Sequence, residues 1–378
     1  MEKQHIIHIT HNDGDAVGCA MVASAVFWGS DITDNTYFCA IGTQDDKIKE
    51  VLTEEMDKEI YPWGVIISDI SLSFETCKWL NDLALKHGFK LLGVDHHATN
   101  TLNRHFNWFK VYVGSYLDEY YTKELTPISA AEAMLGIEFP ALYKRNKFVD
   151  LIKMISRYDT WTWRTHPYDW TKKYINMSDD IVARVCSFMG AEECFKSLWT
   201  HWYDYFDIGK EIKTLIPESF FSIYWGLKAE EERYIKTLPN KAHVVYNFLD
   251  KYTMAIIISE NSHGNAACEY IYNNYDFIDI VVVIYLSSGK LGLRTKRDDI
   301  DLGKMVKTIY MFNGGGHAKA AGTSIPDTEM LAVVASYLMK SITLEEADII
   351  EKSKNLKGDE DGANTSTSTE SEGDEKSN

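Results

Sequence analysis

The sequence predicts an α/β protein with an N-terminal, doubly wound and largely parallel sheet, a smaller C-terminal α/β domain, and a helical, aromatic-rich segment connecting them. Two observations indicate this class. In the N-terminal part, short apolar runs alternate with longer amphipathic stretches, the order that produces a parallel sheet. Aspartates and histidines follow several of the short runs directly, and the carboxyl ends of parallel strands are where such a sheet builds its site.

The first predicted strand covers Ile6 to Thr10, and His11, Asp13 and Asp15 follow it on alternate positions. Alternation puts all three side chains on one side of an extended segment. The apolar and small residues from Asp15 to Trp28 then predict a helix that packs on the sheet. The positive amino end of this helix would face an anion.

Two further strands are predicted to end in the same kind of residue: Val65 to Ser68 before Asp69, and Lys90 to Val94 before Asp95, His96 and His97. A strand at Asn35 to Ala40 and helices at Asp46 to Met56 and Phe74 to His87 complete the alternation. Because successive side chains on a strand alternate, we expect His96 and His97 to point in different directions, one toward a metal and the other toward substrate.

Length and composition limit the size of the core and the number of domains. The chain has 378 residues, of which 45% are hydrophobic, enough for a large core and more than one domain. We divide the chain into a catalytic domain 1–160, a helical segment 161–239, a second domain 240–346 and an acidic, disordered tail 347–378. The aromatic residues of the helical segment are expected to be mostly core rather than a base-stacking surface.

Net charge and the length of the apolar runs argue against two classes of protein. The net charge of −17 argues against a protein that coats long nucleic acid. No apolar run has the length of a signal-peptide core or a membrane span, so we expect a cytoplasmic protein without membrane contact. No obligate protein partner is evident, and a homodimer is left open. The six scattered cysteines form no Cys-x-x-Cys pair and are expected in the core.

The C-terminal domain contains the other conspicuous motif, Gly314, Gly315, Gly316 and His317, which follows a strand that ends at Arg294. Consecutive glycines let backbone amides approach an anion closely. A histidine and an arginine beside them would bind phosphate. We therefore predict substrate-binding roles for these five residues.

Together these motifs resemble those of the DHH phosphoesterase family with its C-terminal DHH-associated (GGGH) domain, and are most similar to short-oligonucleotide ribonucleases and RecJ-type nucleases. The resemblance covers the chain up to about Asp159 and again from Ala242 to about Gly322. One branch of the family separates the first histidine from the aspartate by three residues. Here Asn12 alone separates His11 from Asp13, as in another branch.

The resemblance implies two divalent ions, with Mn²⁺ preferred and Mg²⁺ or Co²⁺ as alternatives. His11, Asp13 and Asp69 would hold the first ion, and Asp15, Asp69, His96 and Asp159 the second, with Asp150 as runner-up to Asp159. The catalytic pair would be His97, near the scissile phosphate, and Asp95, which would orient a histidine.

The function implied is hydrolysis of short single-stranded oligonucleotides or dinucleotides by a water that the two metals activate. The alternatives are a RecJ-type single-strand exonuclease, a phosphoesterase acting on cyclic dinucleotides or on 3′-phosphoadenosine 5′-phosphate, and a DHH-like scaffold without catalysis. The last would be expected to lack metal ligands, whereas every matched position here has a suitable side chain.

Overall fold

The computed structural model describes residues 4–40, 42–97, 100, 102–117, 125–259, 263–285, 289–308, 313–316, 318–324, 336 and 341–363. The chain forms two compact units, Met1–Leu227 and Lys228–Asn378. The first unit has a five-stranded sheet and the second a seven-stranded one, so the predicted α/β class is confirmed. The four-part division of the chain stays a prediction.

The sheet of the first unit is parallel throughout. Its strands are β1 Gln4–Thr10, β2 Ile32–Phe38, β3 Gly64–Ser68, β4 Lys90–Asp95 and β5 Phe109–Val111. They lie in the order β2-β1-β3-β4-β5. The chain therefore builds outward from β1 to one side, then crosses to β3 and builds to the other side. In such a sheet, the crevice at this reversal is where ligands bind.

A small antiparallel pair, β6 Ser115–Leu117 and β7 Leu125–Pro127, follows this sheet. The helices of the first unit are α1 Gly14–Phe27, α2 Gln44–Asp57, α3 Phe74–His87, α4 Ala130–Ala133, α5 Asn146–Asp159, α6 Thr162–Thr165, α7 Ile181–Met189, α8 Ala191–Ile208 and the first part of α9 Glu218–Ile235. A π-helical turn, Met134–Glu138, continues α4.

Helices cover both faces of the parallel sheet. On β1, Ile7 and Ile9 pack with the helices α2 and α3, whereas Ile6 belongs to the cluster formed by α1, α4, α5, α7 and α8. Alternate residues of a strand face opposite sides, so both faces of β1 are buried. Helix α1 is buried almost all round, which agrees with its dense run of small and apolar residues.

The aromatic segment after α5 is mostly core, as its helical spacing predicted. Trp202 and Trp170 are among the largest fully buried side chains, and Phe206 belongs to the same cluster as α1. Trp161, Phe188, Tyr203 and Trp225 are exceptions, with 44%, 64%, 44% and 54% of their surface exposed. Tyr203 still packs edge-on against Trp28, with the ring centroids 4.6 Å apart.

The second unit contains a mixed sheet in the order β12-β13-β11-β10-β9-β8-β14, in which only β9 and β10 are parallel among the described pairs. Its strands are β8 His243–Phe248, β9 Tyr252–Ser259, β10 Ile280–Tyr285, β11 Lys290–Arg294, β12 Asn313–Gly316, β13 Ala320–Ser324 and β14 Ile342–Thr343. Its helices are the end of α9, then α10 Leu238–Lys241, α11 Gly264–Asn274, α12 Leu302–Thr308 and α13 Leu344–Ala363.

The three glycines form the edge strand β12, in which Gly315 pairs with Gly322. One feature of this unit differs from the sequence-based expectation. Helix α13 continues past residue 346, where the disordered tail was expected to begin. Its start is capped by Glu346, which accepts hydrogen bonds from the backbone and hydroxyl of Thr343, and a Lys352–Asp348 pair supports its next turn.

All six cysteines are buried free thiols, in agreement with the core role predicted for them. Among the described residues, no helix combines the length and the apolar character needed to cross a bilayer.

Candidate metal centre

The candidate site lies at the carboxyl ends of β1, β3 and β4, three neighbouring strands. The segment after β1 carries His11, Asp13 and Asp15, the first residue after β3 is Asp69, and β4 ends at Asp95. Asp159, the last residue of α5, completes the site. The crevice at the reversal of strand order therefore collects carboxylates and imidazoles from widely separated parts of the chain.

Asp13 has two roles in the turn between β1 and α1. It is the N-cap of α1, where one carboxylate oxygen accepts the backbone N–H of Ala16 at 3.1 Å. Its other oxygen lies 2.7 Å from Nδ1 of His11. The hydrogen bond within this pair fixes the orientation of both side chains toward the crevice.

Asp15 lies in the first turn of α1 and is buried, with 1% of its surface exposed. Its two carboxylate oxygens accept the backbone N–H groups of Ala130 and Ala131, at 2.9 and 3.3 Å, from the start of α4. This is possible because α1 and α4 approach closely at Gly18, where a Cβ would lie 2.8 Å from Cβ of Ala131.

Asp69 has an unusual backbone. Its φ is +56°, a left-handed conformation that is uncommon for a residue other than glycine and that often marks functional sites. The backbone N–H of Asp69 donates to the carbonyl of Val94 on β4 at 2.9 Å, which fixes the turn. The side chain is buried, and its Oδ2 atom has no hydrogen-bond partner within the described part of the chain.

His96 connects two of the carboxylates. Its Nε2 atom lies 3.4 Å from Oδ1 of Asp69 and 3.3 Å from Oδ2 of Asp159. Oδ2 of Asp159 is nevertheless a buried oxygen for which no hydrogen bond is found among the residues described. Asp69 and Asp159, both beside His96, therefore each have a buried oxygen without a hydrogen bond in the described part of the chain.

Asp95 holds the turn that carries both histidines. Its Oδ1 accepts the backbone N–H groups of His96 and His97, at 2.8 and 3.4 Å, and lies 2.7 Å from Nδ1 of His97. Its Oδ2 accepts hydrogen bonds from Asn100 at 2.7 Å and from Ser71 at 3.3 Å. Asp95 thus orients His97 and has little capacity left for a metal.

The expectation that His96 and His97 point in different directions is wrong. Their ring centroids are 4.5 Å apart, and His97 places a nitrogen near Asp69 as well. The physical reason is that β4 ends at Asp95, so strand alternation does not extend to the histidines. The Asp95 carboxylate accepts the backbone N–H groups of both histidines, so the backbone turns here and the two rings lie close together.

The carboxylates of the site affect one another strongly. Burial, with the charges of its neighbouring aspartates, raises the pKa of Asp69 well above the usual range, and the same causes raise that of Asp159. Burial also raises the pKa of Asp15 to about 7, opposed by its hydrogen bonds and increased by the charge of Asp13. Although burial acts upward on Asp13, the hydrogen bond and charge of His11 lower its pKa to about 2.

These shifts and the unpartnered oxygens fit a bound cation. Three sets of residues could each bind a metal ion, because the ligand atoms within each set lie within 4.8 Å of one another. The sets are His11, Asp13 and Asp69; Asp15, His96 and Asp159; and Asp69, His96 and His97. Asp69 belongs to two of the sets. Oxygen ligands mixed with imidazole suit Mn²⁺ and related divalent ions. A divalent cation would relieve the repulsion between buried carboxylates.

Sequence reasoning missed the buried polar groups behind these residues. His8 on β1 is fully buried, with Nε2 2.7 Å from Oγ of Ser68, the residue before Asp69. The Ser68 hydroxyl donates to Thr10 at 3.0 Å. The alternation of Ile7, His8 and Ile9 in β1 was the available signal, because a histidine between buried apolar residues needs a partner.

A second missed group is the pair of Lys153 and Glu132, both buried, which lies beside α4. Ser129 caps α4 and accepts the N–H of Glu132 at 3.4 Å. The Glu132 carboxylate, however, accepts a hydrogen bond from Ser156 at 2.5 Å instead of closing a capping box. Only the fold could show that the backbone N–H groups after this cap donate hydrogen bonds to Asp15.

The remaining predicted residues lie elsewhere. Asp150, the runner-up to Asp159, is buried on α5 and forms an ion pair with Lys173 at 2.5 Å, outside the three ligand sets. Arg294 ends β11 and donates to Asn265 at 3.0 Å. Gly314, Gly315 and Gly316 lie on β12, two strands away in the same sheet. His317 lies outside the described residues.

No protein-family model matches the chain. The oligoribonuclease NrnB of Bacillus subtilis (strain 168) is 26% identical over 362 residues, which cover 94% of this chain and 81% of that protein. A DHH domain from a member of a family of ribosomal proteins superposes with a TM-score of 0.55 at 14% identity, covering 90% of this chain and 87% of that one. The exonuclease RecJ bound to manganese superposes with a TM-score of 0.50 at 14% identity, covering 88% and 89%.

At these identities the solved structures bear on the fold alone, whereas the sequence similarity to the oligoribonuclease extends over nearly the whole chain. The motifs, the fold and this relative agree. The resemblance predicted from the motifs is therefore confirmed: the chain is similar in sequence to an oligoribonuclease and similar in fold to a DHH domain and to the exonuclease RecJ.

Proposed function

We propose that the protein is a metal-dependent phosphodiesterase that hydrolyses short single-stranded oligonucleotides, with dinucleotides as its best substrates. The observation that carries this proposal is the set of carboxylates and imidazoles around Asp69, in which Asp69 and Asp159 each have a buried oxygen without a hydrogen bond among the described residues. The oligoribonuclease relative and the nuclease folds support the substrate class.

The residues assigned to metal binding keep their predicted division. His11, Asp13 and Asp69, which form one close set, would hold one divalent ion, and the set of Asp15, His96 and Asp159 the other. Asp69 would also bind the second ion, because its Oδ1 atom lies 3.4 Å from Nε2 of His96. When bound, such ions supply Lewis-acid stabilisation of a phosphoryl oxygen and a hydroxide nucleophile near neutral pH. We propose manganese as the preferred ion, with magnesium or cobalt as alternatives, because the ligands combine carboxylate oxygen with imidazole.

His97 has the chemistry of a proton donor. Burial acts to lower its pKa, but the hydrogen bond and charge of Asp95 raise it above the usual value. Because Nδ1 is held by Asp95, the proton available for transfer is the one on Nε2. We assign this proton to the phosphate or to its leaving oxygen, and Asp95 to keeping the ring in that orientation.

We assign the substrate's far phosphate or terminal nucleotide to Arg294, to the glycines 314–316 and to His317. In the second unit, Arg294 and Gly316 occupy the same end of the sheet, since both register with the start of β13. Two strand spacings separate them, about 10 Å. This distance is comparable with the size of one nucleotide.

A RecJ-type exonuclease is the alternative that shares this site. It would act on long single strands, which requires many phosphate contacts. The net charge of −17 favours the short substrate over it. Cyclic dinucleotides and 3′-phosphoadenosine 5′-phosphate need the same phosphodiester or phosphomonoester chemistry and belong in the same assay.

The test is a substrate panel. Protein stripped with chelator is reloaded with Mn²⁺ and given 5′-labelled dinucleotides, longer RNA and DNA oligonucleotides, cyclic dinucleotides and 3′-phosphoadenosine 5′-phosphate. We expect dinucleotide hydrolysis that requires added metal. If the reloaded protein binds metal and leaves every substrate of the panel intact, the proposal is wrong and a scaffold without catalysis is the better account.

A further inference from the structure

The segment directly after Asp159 presents an exposed tryptophan that the metal chemistry does not use. Trp161 has 44% of its surface exposed and a φ of +60°. For a bulky side chain this left-handed conformation is a genuine outlier that costs free energy. An exposed ring held in an unfavourable backbone conformation is not explained by packing.

Trp161 belongs to a small aromatic platform, which we define as Tyr158, Trp161, Trp163 and Arg164. The rings of Trp161 and Trp163 are nearly parallel, at 27° and 6.4 Å, and those of Trp163 and Tyr158 at 25° and 5.8 Å. The guanidinium of Arg164 lies 4.2 Å from the centre of the Trp163 ring and 5.5 Å from that of Trp161. Most other aromatic residues of this region are core, so the platform is distinct from them.

The turn that carries the platform is fixed by hydrogen bonds. The backbone N–H of Trp161 donates to the carbonyl of Tyr158 at 3.2 Å, and its own carbonyl accepts the N–H of Arg164 at 3.0 Å. The hydroxyls of Thr160 and Thr162, on either side of Trp161, are 2.7 Å apart. The ring is thus presented from a defined turn and not from a free loop.

This turn starts at a residue of the metal centre. Two residues of chain span at most about 7 Å, so the Cα atom of Trp161 lies within that distance of the Cα atom of Asp159. The backbone that carries the indole ring is therefore next to the metal centre. Its exposed face is apolar and flat, and the neighbouring Arg164 is a cation on a chain whose net charge is −17.

We propose that Trp161 stacks against a nucleobase next to the scissile phosphate, with Arg164 beside it as an electrostatic partner for that nucleotide. This inference rests on the proposed function and deepens it, because it identifies the group that recognises the base. A ring stacks on every base through its π-face, so the contact favours nucleotides over other phosphodiesters and discriminates little among bases.

The test compares two substrates in steady-state kinetics: a dinucleotide, and the matched analogue in which both bases are removed and the sugars kept. Trp161→Asn removes the ring while keeping a residue that tolerates the left-handed backbone. Trp161→Phe retains a ring, and Trp225→Ala is the matched control because Trp225 is also exposed, at 54%.

We expect Trp161→Asn to raise KM for the dinucleotide by about 5- to 150-fold, the range of base–aromatic stacking, with kcat changed by less than about threefold. KM for the analogue without the bases should stay unchanged. Trp161→Phe should recover most of the loss, and Trp225→Ala should match the wild type. An equal rise of KM for both substrates, or no rise for either, would overturn the proposal.

A binding measurement separates this inference from the proposed function. A dinucleotide with a non-hydrolysable phosphonate linkage should quench tryptophan fluorescence in the wild type, and the quench should be lost in Trp161→Asn. If the wild type shows the quench, Trp161→Asn loses it and the wild type cleaves no dinucleotide, the stacking site stands and the proposed activity fails. If it cleaves dinucleotides and Trp161→Asn retains the full quench, the activity stands and the stacking site is wrong; contact with a protein partner would then explain the exposed ring.

Discussion

Oδ1 of Asp69 lies 3.4 Å from Nε2 of His96, which joins the ends of β3 and β4 across the candidate site. The other oxygen of Asp69 is buried without a hydrogen-bond partner among the described residues. One side chain therefore belongs to two ligand sets, and its removal should damage both.

Replacing Asp69 with Ala should abolish metal-dependent activity, with a loss of at least about 100-fold, and should lower the bound metal measured by elemental analysis. Asp57→Ala is the matched control, because Asp57 is an exposed aspartate at the end of α2. Activity and metal content of Asp69→Ala equal to those of the control would show that Asp69 is not a shared ligand.

Replacing Asp95 with Asn should reduce kcat by about 10- to 100-fold while metal content stays near the wild-type value. The carboxylate raises the pKa of His97, so its loss should move the alkaline limb of the pH–rate profile to lower pH. Ser71→Ala is the control, since it removes only a 3.3 Å hydrogen bond to Asp95. A profile with an unmoved alkaline limb would indicate that His97 does not donate the proton.

The buried carboxyl group of Asp15 leads to a prediction about the stability of the metal-free protein. Burial raises its pKa from 3.8 to about 7, so between these values the folded protein holds a proton that the unfolded chain has lost. Its contribution to the free energy of unfolding is therefore complete below pH 3.8 and is lost as pH rises toward 7. In chelator at pH 8, Asp15→Asn should be more stable than the wild type by about 1–4 kcal/mol.

Denaturant titration at pH 4 and pH 8 checks this. The difference between the two proteins should be small at pH 4, and added Mn²⁺ should stabilise the wild type more than Asp15→Asn. A less stable Asp15→Asn in chelator at pH 8 would mean that the hydrogen bonds from Ala130 and Ala131 outweigh the effect of burial.

The contribution of His8 to stability has the opposite pH dependence. Burial lowers its pKa from 6.5 to about 3, so between these values the unfolded chain binds a proton that the folded protein does not. The stability that His8 contributes is complete above pH 6.5 and declines as pH falls, by up to about 1.4 kcal/mol per pH unit. In His8→Asn this part of the slope between pH 6.5 and 4 should disappear. An unchanged slope would show that His8 does not titrate on unfolding.

Much of the fold could be predicted because its first unit follows local rules. Phe74–His87 was predicted with its exact bounds, since Ser73 caps its start and Gly88 ends it in a left-handed conformation. The carboxylates after β1 and β3 could be located from the ends of apolar runs. What could not be predicted depends on contacts that are distant in sequence.

Asp15 and the amides of α4 illustrate this limit, because 115 residues separate Asp15 from Ala130. The distinction between Asp150 and Asp159 is similar. Both lie on α5, and only the fold shows that Asp150 faces Lys173 whereas Asp159 approaches His96. The paired rings of His96 and His97 depend on where β4 ends, which is among the least certain features of any sequence-based assignment.

The dependence of catalytic efficiency on substrate length tests the central claim most directly. With Mn²⁺ present, kcat/KM should be highest for dinucleotides and fall as the strand lengthens, and added salt should change it only modestly, because the chain at net −17 offers few phosphate contacts beyond its site. Asp69→Ala should be inactive at every length. A kcat/KM that rises with length and falls steeply with salt would contradict this account and favour a RecJ-type exonuclease.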